Sequence, residues 1–306
     1  MIGTTNLHPN KVGCLIAGRY LINKMIDYGV MGAVYEVKDH KENDLKAVKL
    51  VRTKNKKNQA EPTLKSEIES LRRLYGQEGI SLLHSVETLE NFTVLVLRLE
   101  GKSLRRVRKA NELQRFQPKT VQLLALSALK AVQTIHKFGI LHTDIKEANF
   151  TLPLENEPRL VLVDFGQSIK VIDDNGERIK YTKGSSVQKS VLGSLSVNNG
   201  GEQTEADEMI MFGYFVLQLA GYDMAQARPG GSAERQRAKV ELRDTPETLL
   251  LYDQRFLCSV LRVLHAQVPG KAVDYNAIQQ AIIGCTEYDP NYRLGWKVLK
   301  DTWTFD

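Results

Sequence analysis

The sequence predicts an α+β fold of two lobes, and three observations carry that prediction. Residues 20–99 read mainly as strands with one helix, whereas residues 103–304 read mainly as helices. Glu100-Gly101-Lys102-Ser103 stands between them as a natural hinge. Inside the helical part, a short apolar run, Leu160-Val161-Leu162-Val163, delivers Asp164-Phe165-Gly166 at its C-terminal end.

Each element follows from its own pattern. Tyr20 to Ile26 and Ala33 to Val37 have strand character, with Gly29 and Gly32 between them, and Leu45 to Val51 is a third apolar strand carrying Lys49. A helix follows, with Pro62 suited to its first turn and Gly76 to its end. Phe92 to Leu99 alternates and runs apolar, as a buried strand does. Pro118 to Phe138 repeats apolar residues at helical spacing through Leu124, Ala128, Ala131 and Ile135, and Gly139 ends it. The segment 167–204 is polar and rich in Gly, Ser and Lys. Met209 to Ala220 is apolar enough for a buried helix, and residues 255–267, 274–284 and 295–303 are expected to supply further helices.

Composition narrows the class. Hydrophobic residues make up 42% of the 306 and charged residues 25%, the balance of a soluble globular chain with a substantial core. No run approaches the length of a membrane span and no signal peptide is evident, so neither membrane insertion nor export is expected. The three cysteines, Cys14, Cys258 and Cys285, have no metal-ligand spacing and read as reduced thiols. An intracellular location, cytoplasmic or nuclear, and a monomer are expected. The net charge is +6, and the densest basic stretch is Arg52-Thr53-Lys54-Asn55-Lys56-Lys57. No aromatic residues interleave with it, so it reads as a solvated loop rather than a nucleic-acid surface.

The chemistry lies in His142-Thr143-Asp144-Ile145-Lys146-Glu147-Ala148-Asn149, with Asp164-Phe165-Gly166 beginning fifteen residues after Asn149. One potential base, Asp144, and two potential metal ligands, Asn149 and Asp164, stand at the spacing that ATP-dependent phosphoryl transfer requires. Lys49, on an otherwise apolar strand, needs a compensating anion. Glu67 is the candidate, since it lies at the edge of the helical stripe formed by Leu64, Ile68, Leu71 and Leu74. Such a pair would hold an ammonium over nucleotide phosphates, although either residue alone could equally be a surface charge. Gly29 and Gly32 allow close backbone approach to phosphate oxygens, but a plain hairpin would look much the same. Lys146 favours a protein Ser or Thr hydroxyl as acceptor, because a cation there meets charge on the transferred group. His142 is assigned a packing role.

These residues resemble those of a protein kinase of the casein kinase 1 group, closest to its tau-tubulin-kinase-like branch. The likeness is carried by Leu64 to Ile68, Ile135 to Lys146, Asn149-Phe150, Ser196-Val197-Asn198 and Glu208 to Tyr214. It implies a bilobal kinase domain over residues 12–304, with an N-lobe at 12–99, a hinge at 100–103, a C-lobe at 104–304 and a tail at 1–11. It also implies ATP and Mg2+ as cofactors and a protein substrate phosphorylated on Ser or Thr. Asp144, Lys146, Lys49 and Glu67 would be catalytic, and Asn149 and Asp164 would hold the metal. Ile26, Gly29, Gly32, Val34, Ala47, Lys49, Leu97, Leu99, Glu100 and Thr151 would bind the nucleotide.

Several positions depart from the family pattern. Asp27 stands at the first glycine position of the nucleotide loop, Glu147 where proline is usual, and Thr151 where an apolar residue would floor the adenine. Thr143 replaces an arginine that meets loop phosphates, so switching through Thr182, Ser185, Ser186 or Ser190 is not expected. About three residues are missing around Gly193 to Val197, including a basic residue of the docking loop. Glu208 occupies the place of a helix aspartate that steadies the catalytic loop. Asp27, Thr151, Glu208 and the shortened docking loop support an alternative, a catalytically weak or inactive pseudokinase that serves as a protein-binding module.

Overall fold

The structure is a computed structural model and describes residues 11–29, 32–52, 62–154, 159–179, 191–222, 224, 231–287, 296–299 and 302–305. Val30 and Met31, the basic stretch beyond Arg52, and Thr182, Ser185, Ser186 and Ser190 lie outside the described residues. Strands β1 (Leu15–Ile16), β2 (Tyr20–Gly29), β3 (Gly32–Asp39) and β4 (Asp44–Arg52) precede helix α1 (Pro62–Arg73). Strands β5 (Leu83–Thr88) and β6 (Phe92–Arg98) complete an antiparallel sheet ordered β1-β2-β3-β4-β6-β5.

Side chains alternate across a strand, and β4 uses both faces. Val48 and Leu50 join Tyr20, Tyr35, Val37, Val94 and Val96 in a small core on one side of the sheet. Val51, on the opposite face, joins Leu64, Leu71 and Leu74 of α1 in a larger core that continues into the helical lobe. Lys49 shares that second face, which is how an apolar strand brings an ammonium toward α1.

The helical lobe begins with α2 (Leu104–Ala110) and α3 (Pro118–Lys137). Pro118 sits in the first turn of α3, where a missing N–H costs nothing, and Gly139 beyond its end has φ 67°. Short strands β7 (Ile140–Leu141), β8 (Phe150–Thr151), β9 (Val161–Leu162) and β10 (Ile169–Lys170) frame the loops facing the cleft. Next come α4 (Leu195–Asn198) and α5 (Glu205–Leu219). The Thr204 hydroxyl accepts from the Asp207 N–H while Asp207 accepts from the Thr204 N–H, so α5 starts earlier than its apolar run. Helices α6 (Ser232–Asp244), α7 (Pro246–Leu249), α8 (Cys258–His265) and α9 (Tyr275–Ile283) close the lobe.

One predicted element is wrong in kind. Residues 295–303 were expected to form a helix, but Trp296–Leu299 and Thr302–Phe305 form β11 and β12 of an antiparallel hairpin. Tryptophan, valine, threonine and phenylalanine dominate the two arms, and such side chains favour a pleated surface over a helix turn. The sequence reading also passed over β1, β5, α2 and α6.

Candidate active site

All the candidate site residues line one cleft of about 340 Å3 between the sheet and the helical lobe. Ile26, Val34, Ala47, Leu97 and Leu99 give it an apolar roof and back, and Glu100 to Ser103 its edge. Thr151 lies on the floor, and its hydroxyl donates to the Val161 carbonyl at 3.2 Å within the β8–β9 pair. That bond satisfies the polar group the apolar position would lack.

Deeper in, Lys49 Nζ reaches Glu67 Oε1 at 2.7 Å and Oε2 at 2.8 Å, and Asp164 Oδ1 at 2.7 Å. Lys49 and Glu67 are 5% and 2% exposed, so Glu67 is a core residue rather than one at the core's edge. Burial works to lower the Lys49 pKa, but Asp164 and Glu67 outweigh it and raise it, which favours the charged ammonium. Burial likewise works against the Asp164 carboxylate, yet Lys49 holds its pKa below the usual value. For Glu67 burial wins over Lys49, and its pKa is raised.

On the opposite wall, Lys146 Nζ lies 2.6 Å from Asp144 Oδ2. Asn149 Nδ2 donates to the Asp144 carbonyl at 2.9 Å and to Oδ2 at 3.0 Å. His142 accepts from the Asp144 N–H at Nδ1 and donates from Nε2 to the Val163 carbonyl at 3.0 Å. Its ring also meets Phe165 edge-on, with centroids 4.9 Å apart. His142 thus ties the loop bearing Asp144 to the strand end bearing Asp164. An amide and a carboxylate offer hard oxygen ligands, a set that suits Mg2+.

Two non-glycine residues here hold left-handed backbone, Thr143 at φ 64° and Asp164 at φ 63°. Each costs about 1–3 kcal/mol and persists only where surrounding bonds impose it. For Thr143 those bonds are visible. Its N–H donates to Glu208 Oε1 at 2.6 Å, and its hydroxyl donates to the Gln167 carbonyl at 2.7 Å. Glu208 is fully buried and its Oε2 also accepts from the His142 N–H at 3.1 Å and from His136 Nε2 at 2.7 Å. Glu208 itself therefore holds the loop that bears Asp144, while Asp207 caps α5 and accepts from Ser194. Burial opposes the Glu208 charge, but His136, His142 and the Thr143 N–H together lower its pKa.

Residues 20–189 match the protein kinase domain family, more than half of the chain. The chain belongs to the protein kinase family. A probable casein kinase I homologue of Encephalitozoon cuniculi (strain GB-M1) is 30% identical over 235 residues, covering 76% of this chain and 72% of that protein. A Caenorhabditis elegans protein named as a casein kinase I is 26% identical over 219 residues, covering 68% of this chain and 61% of its own length. The human dual specificity tyrosine-phosphorylation-regulated kinase 4 is 30% identical over 155 residues, half of this chain and 30% of that protein. The strand-rich lobe over a helical lobe is the bilobal kinase fold.

Two arginines of α2 in this kinase domain, Arg106 lining the cleft and Arg108 outside its lining, carry no specific signal in the sequence. Arg106 of α2 lines the mouth and its guanidinium donates to the Ile26 carbonyl on the opposite lobe, next to Asp27. Asp27 is exposed and its own carboxylate accepts from the Tyr28 N–H at 2.9 Å. Glu147, in the proline position, is 5% exposed and grips Arg108 of α2 through two bonds of 2.5 and 2.9 Å. A glutamate beside Lys146 and an arginine some 39 residues earlier, on the helix after the hinge, are the only sequence signals for that pair, and neither is specific.

Proposed function

We propose that the chain is an ATP- and Mg2+-dependent serine/threonine protein kinase, with its domain spanning residues 12–304. The observation that carries the reading is the facing pair of clusters across one cleft, Lys49–Glu67–Asp164 and Asp144–Lys146–Asn149. The apolar roof would take adenine, and Lys49, fixed by Glu67, would meet the phosphates. Asn149 and Asp164 would hold Mg2+, whose charge neutralises the phosphates when bound. Asp144 would orient the acceptor hydroxyl and take its proton, and Lys146 beside it would meet charge on the transferred group.

Support for a Ser/Thr acceptor comes from Lys146 and from the casein kinase I names of two relatives. The tau-tubulin-kinase-like placement rests on the sequence resemblance. Among the described residues no helix is long and apolar enough to cross a membrane, and the three cysteines are free, which supports a reducing compartment. The inactive alternative loses two of its supports, because Glu208 bonds the catalytic loop directly and the Thr151 hydroxyl is satisfied.

Single-turnover transfer from Mg-ATP to Ser/Thr peptides tests the proposal. Asp144→Asn should lower the rate about 10²–10⁴-fold, the usual contribution of a positioned base, with unfolding still cooperative. Wild-type protein that binds Mg-ATP in a thermal-shift titration yet transfers nothing would overturn the catalytic reading and leave the binding module.

A further inference from the structure

Helix α1 carries Ser66 and Ser70 one turn apart, on either side of Glu67. The Ser66 hydroxyl donates to the Ser168 carbonyl at 2.6 Å. Ser70 Oγ lies 2.8 Å from Ser168 Oγ, and the Ser168 hydroxyl donates to the Phe165 carbonyl at 2.7 Å. A hydroxyl has one proton to give, and that of Ser168 goes to Phe165, so Ser70 is the donor to Ser168. The direction of the chain is therefore fixed: α1 gives two bonds to the turn that begins Asp164-Phe165-Gly166. Ser70 and Ser168 are 5% and 2% exposed, so water does not substitute for either partner.

Apolar contact alone tolerates sliding and rotation of a helix, whereas a buried directional chain specifies one register. That register is the one in which Glu67 meets Lys49 and Lys49 meets Asp164. No other hydroxyl-to-segment bond runs from α1 among the described residues, and Thr143 offers no cation to order the segment from below.

We propose that Ser66, Ser70 and Ser168 are positioning residues that set α1 on the Asp164 turn and so hold the Lys49–Glu67–Asp164 cluster in the geometry used for phosphoryl transfer. The inference rests on the proposed kinase activity for its catalytic consequence, but not for its structural one. Ser168→Ala strands the Ser70 donor and removes the Phe165 contact. It should speed amide exchange across residues 62–73 by about five- to tenfold, the size of one net hydrogen bond. kcat/KM for ATP should fall by a similar factor. The Ser70→Ala/Ser168→Ala double variant should cost less than the sum of its parts, because both belong to one chain. Ser168→Thr keeps the hydroxyl and should restore much of the loss. Ser66→Ala, at a less buried site, gives a milder version should Ser168→Ala fail to fold.

Folded variants with α1 exchange and nucleotide affinity within about twofold of wild type, below the size of one bond, would overturn the proposal. So would additive single-variant effects. A wild-type protein without transfer activity would sink the kinase reading alone, since amide exchange and Mg-ADP affinity judge the serine chain independently.

Discussion

Replacing Glu208 with aspartate keeps the charge and withdraws the carboxylate by one methylene, about 1.5 Å. The three bonds it accepts now measure 2.6, 2.7 and 3.1 Å, from Thr143 N–H, His136 and His142 N–H. Without backbone movement they would lengthen to about 4 Å or more, beyond hydrogen bonding. Three buried donors would lose their acceptor at about 1–3 kcal/mol each, and partial relaxation of α5 should leave a net loss of about 2–4 kcal/mol. Urea unfolding should show it as a lower midpoint at unchanged slope. Single-turnover transfer should fall too, since Thr143 is held in left-handed backbone by that same carboxylate. The pH dependence has a definite sign. The folded pKa of Glu208 lies below its ordinary 4.5, so its contribution is complete above that pH and lost as acid titrates the folded group. Glu208→Gln should therefore narrow its deficit below pH 4.5, where the wild type weakens. A Glu208→Asp protein as stable as wild type would refute the reasoning, because the helix aspartate of the wider family would then fit this loop equally well.

Three further outcomes are expected. A Cβ on Gly32, at φ 130°, would stand 2.2 Å from the Leu50 carbonyl oxygen, whereas one on Gly29 meets nothing within 4 Å. Gly32→Ala should lower thermal stability, and Gly29→Ala should spare it while weakening Mg-ATP binding, as calorimetry and nucleotide titration can separate. Lys239 is buried and donates to the Gly193 carbonyl, and burial with Arg235 pushes its pKa down to about 8. A lysine so shifted binds fewer protons folded than unfolded, so the stability of the wild type relative to Lys239→Met should rise on the order of 1 kcal/mol from pH 8 to about 9.5. The window stops short of tyrosine titration near pH 10. Denaturation midpoints of the two proteins, compared at each pH so that the burial-shifted thiols of Cys258 and Cys285 cancel, should diverge across that range. Lys146→Met should lower the single-turnover rate by about 10²–10³-fold, as loss of one transition-state contact does, with Mg-ATP affinity unchanged.

How much of this could be read from the chain depends on whether the constraint is local. Asp144, Asn149 and Asp164 announce themselves because their residue types and spacing answer to one chemistry. Lys49 was legible for a different reason, since an ammonium on an apolar strand demands an anion and Glu67 lay on the next helix. Glu208 was misjudged because the reach of a side chain to a loop some 65 residues away leaves no trace in either segment. The Thr151 hydroxyl and the Ser66–Ser70–Ser168 chain were invisible for the same reason, as serine and threonine carry no pattern until a partner is known. The pair β11–β12 was not foreseen, although the β-branched and aromatic content of Trp296–Leu299 and Thr302–Phe305 favours strands.

The glutamate that stands in the proline position has a consequence for how this sequence can change. Proline there would fix one backbone angle and ask nothing of its neighbours. Glu147 instead shares a buried pair with Arg108, which also donates to the Gln114 carbonyl. Removing one member of such a pair typically costs about 3–5 kcal/mol, a large share of a domain's stability. Replacing Glu147 with proline would take the carboxylate from a buried guanidinium, so the residue usual at this position in the family would be deleterious here. Arg108 must change first or together with it. Energetically the two positions act as one unit, so a change tolerated at either requires a matching change at the other.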